Sequence, residues 1–183
     1  MITVAIIVYF SRKNENFVNG KITNLEIGNT KVVANKLHEK VRGTMIELIP
    51  IQAYPKEYHK MLQISQKEKE HEIRPPYHAI DEERLKEAQD IFLGFPNWDG
   101  SFPRIIAHFL EEHDLSGKII YPFCTHEGSA FGRSIIELQK LCPHAIIKDG
   151  LPYRGSRIEK VEAAIDNWLV QYKLSGGIND GKT

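Results

Sequence analysis

With 183 residues, 42% of them hydrophobic and 26% charged, the chain suits one globular domain that can bury a sizeable core, and it leaves little for a second. Lysine plus arginine and aspartate plus glutamate stand at 24 each, so no long-range field draws the chain to nucleic acid, to an anionic membrane or to a basic partner. No stretch reaches the roughly 18 apolar residues of a membrane span, and the start has neither a basic leader nor a small-residue cleavage site; a cytoplasmic protein is the expectation.

The first element is Ile2 to Tyr9, a near-continuous β-branched run of the kind that forms a strand buried on both faces of a parallel sheet. After it come Ser11 and Arg12, and then Lys13 to Ile27, in which Phe17-Val18-Asn19-Gly20-Lys21-Ile22 sets Asn-Gly between β-formers and predicts a hairpin. Gly28-Asn29-Thr30 opens a helix over Thr30 to Val41, and Met45 to Ile49 is the second short apolar run. The connection from Pro50 to Gln89 is long: a charged helical stretch around Lys56 to Glu72, then Arg74-Pro75-Pro76, then a short helix at Asp81 to Ala88. Within it, Glu68 to Glu72 is read as a solvated helix face. Ile91 to Phe95 and Ile119 to Phe123 are further strands, with Ala145 to Ile147 as a weaker fifth. Helices are expected over Phe102 to Glu112, Phe131 to Leu141 and Arg157 to Tyr172, the last carrying Ile158, Val161, Ile165, Trp168 and Leu169 on one stripe. The domain is drawn over residues 1–174, with 175–183 as a polar, Gly-rich flexible tail. Cys124 and Cys142 make neither a disulfide framework nor a Cys-x-x-Cys pair and read as ordinary buried thiols.

Alternating strand and helix calls for an α/β fold with a parallel sheet between two helical layers, and such sheets bind ligands at the carboxyl ends of their strands. Three loops at that end carry unusual chemistry. Ser11, Arg12 and Gly28-Asn29-Thr30 offer hydroxyls, backbone amides and a helix amino end, which together suit a phosphate. Gly94-Phe95-Pro96-Asn97-Trp98-Asp99-Gly100 sets an indole in a loop bracketed by proline and glycine, either as a stacking platform or as a core plug. Thr125-His126-Glu127-Gly128-Ser129-Ala130-Phe131-Gly132 leaves backbone amides free to meet a flat polar ligand. His126 and Cys124 lack the further ligands of a zinc set, and Ser129 lacks the glycine spacing of a nucleophile elbow.

YFS(R), GNT, GFPNW and PFCTHEGSAFG stand in the order and spacing of flavodoxin-like FMN proteins, and the chain resembles the longer bacterial flavodoxins over nearly its whole length. Tyr54-Pro55-Lys56-Glu57-Tyr58 and Leu115 to Phe123 add to the resemblance. It implies a doubly wound five-stranded parallel sheet in the order 2-1-3-4-5, with FMN at the point where strand order reverses. It further implies that Ser11, Asn29 and Thr30 hold the ribityl phosphate with Arg12 and Gly28 beside them. Pro96, Asn97, Trp98, Asp99 and Gly100 would flank the isoalloxazine, Trp98 by stacking, and Thr125, His126, Glu127, Gly128, Phe131 and Gly132 would border the pyrimidine edge.

The sequence departs from that pattern in two places. The family's phosphate loop is compact, whereas about fifteen residues, Lys13 to Ile27, separate Arg12 from Gly28 here. Phosphate binding then requires the hairpin to close on itself and return Gly28 to Ser11; a wall of the cavity, a dimer contact and a neutral insertion are the open roles for it. Asp99 puts a carboxylate where an aromatic or small residue is usual, and a charge there lowers the potential of the anionic reduced flavin. The resemblance leaves three functions to separate: an electron carrier docking to a redox partner protein, an NAD(P)H-dependent FMN quinone reductase acting on a small quinone-like acceptor, and a flavin-free interaction module. Carriers of this family are strongly acidic around the flavin, and the neutral charge here weighs against the first.

Overall fold

The apolar run at the start of the chain becomes β1 (Ala5–Tyr9), every residue of which is buried, in a computed structural model that describes residues 4–177. Next come β2 (Asn14–Val18), β3 (Lys21–Leu25), α1 (Asn29–Val41), β4 (Thr44–Glu47), α2 (Tyr58–Glu70), α3 (Glu82–Glu87) and β5 (Asp90–Pro96). The rest of the chain forms α4 (Arg104–Glu112), β6 (Ile119–His126), α5 (Ser134–Leu141), β7 (Ile146–Ile147), β8 (Leu151–Arg154), a 3-10 helix (Gly155–Lys160), α6 (Val161–Trp168) and α7 (Val170–Leu174).

The main sheet runs β4-β1-β5-β6-β7, with β8 also paired to β6, and every pairing in it is parallel. Counted as five parallel strands, this is the order 2-1-3-4-5 of the flavodoxin-like fold. The fifth strand comes in two pieces. Ile146 and Ile147 pair with Ile119 and Ile120, and Leu151 to Arg154 pair with Phe123 to His126. Between them the chain leaves the ladder, and the Asp149 carbonyl accepts from Trp168 Nε1 at 2.7 Å and Gln171 Nε2 at 2.8 Å. Only the first piece is legible as an apolar run, because Pro152 and two charged or polar neighbours break the second.

Alternation along the strands divides the core. Ile6 and Val8 of β1, with Ile91, Leu93 and Phe95 of β5, face Met61 of α2, Leu85 of α3, Ile105 and Phe109 of α4 and Leu138 of α5. Ala5, Ile7 and Tyr9 turn the other way, with Phe92 and Tyr121, against Val33 and Leu37 of α1, Ile165 and Trp168 of α6 and Tyr172 of α7. Each fully buried side chain of this size contributes roughly 1.5–3 kcal/mol of transfer free energy. The single helix expected over Arg157 to Tyr172 divides into the 3-10 helix, α6 and α7; of its stripe Val161, Ile165, Trp168 and Leu169 are buried, while Ile158 is half-buried.

The insert is the hairpin that Asn19-Gly20 announced. β2 and β3 pair antiparallel with Phe17 opposite Ile22, and the φ angles of Asn19 (50°) and Gly20 (77°) are both positive, as a tight primed turn requires. Cys124 and Cys142 are free and buried, and burial pushes the Cys142 thiol up to about 11. Ser175 Oγ donates to the Tyr172 carbonyl at 2.7 Å; the tail beyond residue 177, and residues 1–3 of the expected first strand, lie outside the described residues. Among the described residues no helix is long and apolar enough to cross a membrane.

Candidate functional site

The carboxyl ends of β1, β5 and β6 bring the three loops around one cleft of about 400 Å³. Ser11, Arg12, Asn29 and Thr30 line one end of it, Pro96, Asn97, Trp98 and Asp99 line a second wall, and Thr125, His126, Glu127 and Gly128 a third.

The two halves of the first loop meet. A Cβ added to Gly28 would stand 2.2 Å from Ser11 Oγ and 2.6 Å from the Arg12 carbonyl, so glycine alone permits this approach. Ser11 Oγ accepts from the Lys31 amide at 3.1 Å, which leaves its own proton free to donate. Gly28 gives the first turn of α1 no side-chain cap of its own, and the turn holds no acidic residue, so beyond the Lys31 amide taken by Ser11 the helix dipole faces the cleft unopposed. Thr30 Oγ1 and Thr125 Oγ1 lie 2.7 Å apart and tie the first loop to the third across the strand ends.

Arg12 is largely buried, and its guanidinium donates to the carbonyls of Glu15, Pro55 (2.6 Å) and Lys56 (2.8 Å). Its main load is therefore structural, fastening the hairpin to the start of the long crossover. Its Nε is buried without a partner, a donor left over in a residue that lines the cleft.

The second wall is a tight turn. Trp98 and Ser101 exchange backbone hydrogen bonds of 2.8 and 3.1 Å around Asp99 and Gly100, whose φ angles are 53° and 77°. Trp98 lines the cleft, yet it is only 9% exposed and its indole stands edge-on to Phe10 (5.2 Å) and Tyr54 (5.1 Å). Asp99 is not a loosely solvated carboxylate, since Ser65 Oγ donates to its Oδ2 at 2.6 Å and Lys69 Nζ donates to its carbonyl. The expected solvated face of α2 is corrected at one position: Lys69 braces this turn from an exposed place, but Glu68, 7% exposed, is buried and accepts from Tyr54 Oη at 2.8 and 3.0 Å. Burial raises the Glu68 carboxyl above its ordinary value, against the opposing pull of Tyr54 and Arg104.

In the third loop, Gly128 N donates to His126 Nδ1 at 2.9 Å, which places the remaining ring proton on Nε2. Burial, and then the positive charge of Arg154, depress the His126 pKa and favour that neutral form. Glu127 reaches away from the sheet: Oε1 accepts from Ser156 N at 2.8 Å, and Oε2 from Asn19 N, at the hairpin tip, at 3.1 Å. Asn97 joins the second and third loops, its amide donating to the Thr125 carbonyl at 2.8 Å and its side chain to that of Ala130 at 2.7 Å.

Four of the expected residues stand behind the cleft instead of lining it. Gly28 packs under Ser11, and the Gly100 carbonyl accepts from Arg133 N at 2.8 Å. Gly132, with φ 52°, lies against that same carbonyl, and Phe131 packs edge-on to Phe95 at 6.2 Å. The sequence did not mark Tyr58, Met61, Leu62 or Gly155 as lining the cleft, and Asn16 and Phe17 belong to the insert for which a place in its wall was one of the open roles. Gly155 is there because a Cβ would meet Asn29 Nδ2 at 2.4 Å and Glu127 Oε1 at 2.6 Å, a contact between distant segments with no local signal. Among the described residues no three His, Cys, Asp or Glu side chains gather in a way that could hold a metal ion.

The flavodoxin family model matches residues 23–172, beginning inside β3 and so leaving out β1 and most of the hairpin. No curated protein matches the chain. Similar solved structures include a candidate flavoprotein from Bacteroides eggerthii DSM 20697, 28% identical, with 92% of this chain and 97% of that one covered at a TM-score of 0.73. Another, from Bacteroides uniformis ATCC 8492, is also 28% identical, with 90% and 98% covered and a TM-score of 0.69. A flavoprotein in complex with FMN from Lactobacillus acidophilus NCFM is 17% identical, with 86% and 97% covered at 0.62, a likeness of fold.

Proposed function

Because the chain belongs to the flavodoxin family, we propose that its cleft binds FMN and that the protein passes electrons through that cofactor. The observation that carries this reading is the meeting of Ser11 with Gly28 and the start of α1, despite the insert between them. It also removes the ground for a flavin-free module, which required the hairpin to pull the two halves of the loop apart.

The donors present fit a phosphate: the Ser11 hydroxyl, the open amides at the start of α1, and Arg12 Nε, with no carboxylate in that first turn. Bound FMN would supply the redox chemistry. Trp98 would give the ring an apolar face that its own packing on Phe10 and Tyr54 holds in place. His126 Nε2–H would donate a hydrogen bond into the cleft, and Asp99 would set negative charge beside it. No side chain there is required to exchange a proton with substrate, so the residues orient the cofactor, exclude water and tune its potential.

Between a carrier and a reductase, the balance of 24 basic and 24 acidic residues favours the second, an FMN oxidoreductase drawing on NAD(P)H and reducing a small quinone-like acceptor in the cytoplasm. The test is the spectrum of the purified protein with and without added FMN, followed by anaerobic mixing with NADH and with NADPH. Flavin bands bleached rapidly by a nicotinamide support the reductase; bands that a nicotinamide leaves unchanged support the carrier. A protein that neither carries nor takes up FMN refutes both.

A further inference from the structure

We propose that the β2–β3 hairpin is a strap across the cleft that confines electron exchange to small planar acceptors and keeps protein acceptors out. The inference rests on the FMN reading above and adds to it the class of acceptor.

The hairpin is fastened at both ends. At its base, Arg12 donates to the carbonyls of Glu15, Pro55 and Lys56, Glu15 N donates to the Lys56 carbonyl at 3.2 Å, and Glu15 Oε2 accepts from Tyr58 N at 2.8 Å. Its tip reaches the loop after β6, where Asn19 N donates to Glu127 Oε2 at 3.1 Å. That carboxylate is itself held by Ser156 N at 2.8 Å. One fastening lies at the start of α2 and the other on the third wall, so the hairpin bridges two walls of the cleft. An insertion of neutral role would make no such contact across 108 positions of sequence.

The strap also brings a surface of its own. Phe17 stacks on Tyr58 with ring centroids 6.2 Å apart and planes 30° from parallel, and both rings line the cleft with Met61 and Leu62. Phe17 and its cross-strand partner Ile22 are 45% and 44% exposed, a flat apolar pair left open beside a polar cleft. A planar aromatic molecule can stack on such a wall, whereas a folded protein must displace the strap to bring its redox centre close. The neutral chain offers no field to steer such a partner in.

The test uses the FMN-loaded protein, reduced anaerobically with dithionite, and a variant in which residues 14–26 are replaced by two glycines. The pairing of Asn14 with Leu25 keeps the ends of that deletion close. Each form is mixed in a stopped-flow instrument with p-benzoquinone or with cytochrome c. The quinone takes two electrons, with two protons drawn from the reduced cofactor and solvent, and becomes benzene-1,4-diol. Two molecules of cytochrome c take one electron each, and the protons go to solvent. Removing the strap should raise the cytochrome c rate by about tenfold or more, while the quinone rate, with the Phe17 ring gone from the wall, stays level or falls. An unchanged cytochrome c rate, or an equal rise with both oxidants, overturns the strap while leaving FMN binding intact. Failure of both forms to hold FMN overturns the underlying reading as well. Should the variant not fold, Glu127→Ala, which removes the acceptor that holds the tip, decides: it should raise the cytochrome c rate by more than the quinone rate, and an unchanged ratio of the two overturns the proposal.

Discussion

Replacing Gly28 by alanine tests the join on which the proposed phosphate site depends. The backbone there, φ −63° and ψ 144°, is allowed for any residue, so the cost is one of space alone. The new methyl would lie 2.2 Å from Ser11 Oγ and 2.6 Å from the Arg12 carbonyl. The hydroxyl can rotate away, but the carbonyl is backbone, and the start of α1 must move off β1. Overpacking of this kind costs about 1–3 kcal/mol, and loss of the bond from Lys31 N to Ser11 Oγ adds about 1 kcal/mol. A total near 2–4 kcal/mol lowers the melting temperature of a chain this size by roughly 4–16 °C. Displacement of Ser11 from the helix amino end should weaken FMN binding by about tenfold or more, or roughly 1.4 kcal/mol. Gly117→Ala is the control: its φ of 75° carries strain of about 1 kcal/mol, but nothing lies within 4 Å and the site is untouched. Calorimetry and FMN titration of both variants separate the effects. A Gly28→Ala protein that loses stability yet binds FMN as the parent does would refute the assignment of this junction to the phosphate.

Three further predictions follow from contacts around the cleft. Arg12→Met removes the guanidinium that donates to the carbonyls of Glu15, Pro55 and Lys56 and should cost about 3 kcal/mol, with faster hydrogen exchange confined to the hairpin; unchanged exchange at residues 14–25 contradicts the fastening. Asp99→Asn keeps an oxygen for Ser65 Oγ but removes the charge, so the two-electron potential of bound FMN should rise, by about 30 mV for each 1.4 kcal/mol of relieved repulsion; an unmoved potential in spectroelectrochemical titration rejects it. His126 has a folded pKa below its ordinary 6.5, so below that pH the unfolded chain binds more protons than the folded one. Stability is then full above about 6.5 and declines as pH falls through that value, and His126→Gln should flatten this part of the pH profile of melting temperature.

Much of this architecture is legible in the residues because parallel strands buried on both faces are written as unbroken apolar runs, and Asn19-Gly20 writes a primed turn. The second half of the fifth strand is not, since Leu151-Pro152-Tyr153-Arg154 has neither alternation nor a run and is a strand only because β6 offers an edge. The charge run on α2 misleads at Glu68 because periodicity cannot show that Tyr54, fourteen positions earlier, folds back to receive it. At the site, the three loops declare themselves through glycine, hydroxyl and indole chemistry that a fold core does not need. What closes the site is hidden: Asn19 to Glu127 and Gly155 to Asn29 are tertiary contacts whose partners look ordinary one at a time. Arg12, read as a phosphate neighbour, turns out to carry mainly the hairpin.

The central claim is that the phosphate of FMN is held where Ser11 meets the start of α1. Titrating the apoprotein with FMN and, separately, with riboflavin, which lacks only that phosphate, tests it most directly. The account predicts FMN bound about 100-fold more tightly, close to 2.7 kcal/mol, with Ser11→Ala narrowing the gap. Equal affinity for the two flavins, or no affinity for either, contradicts it.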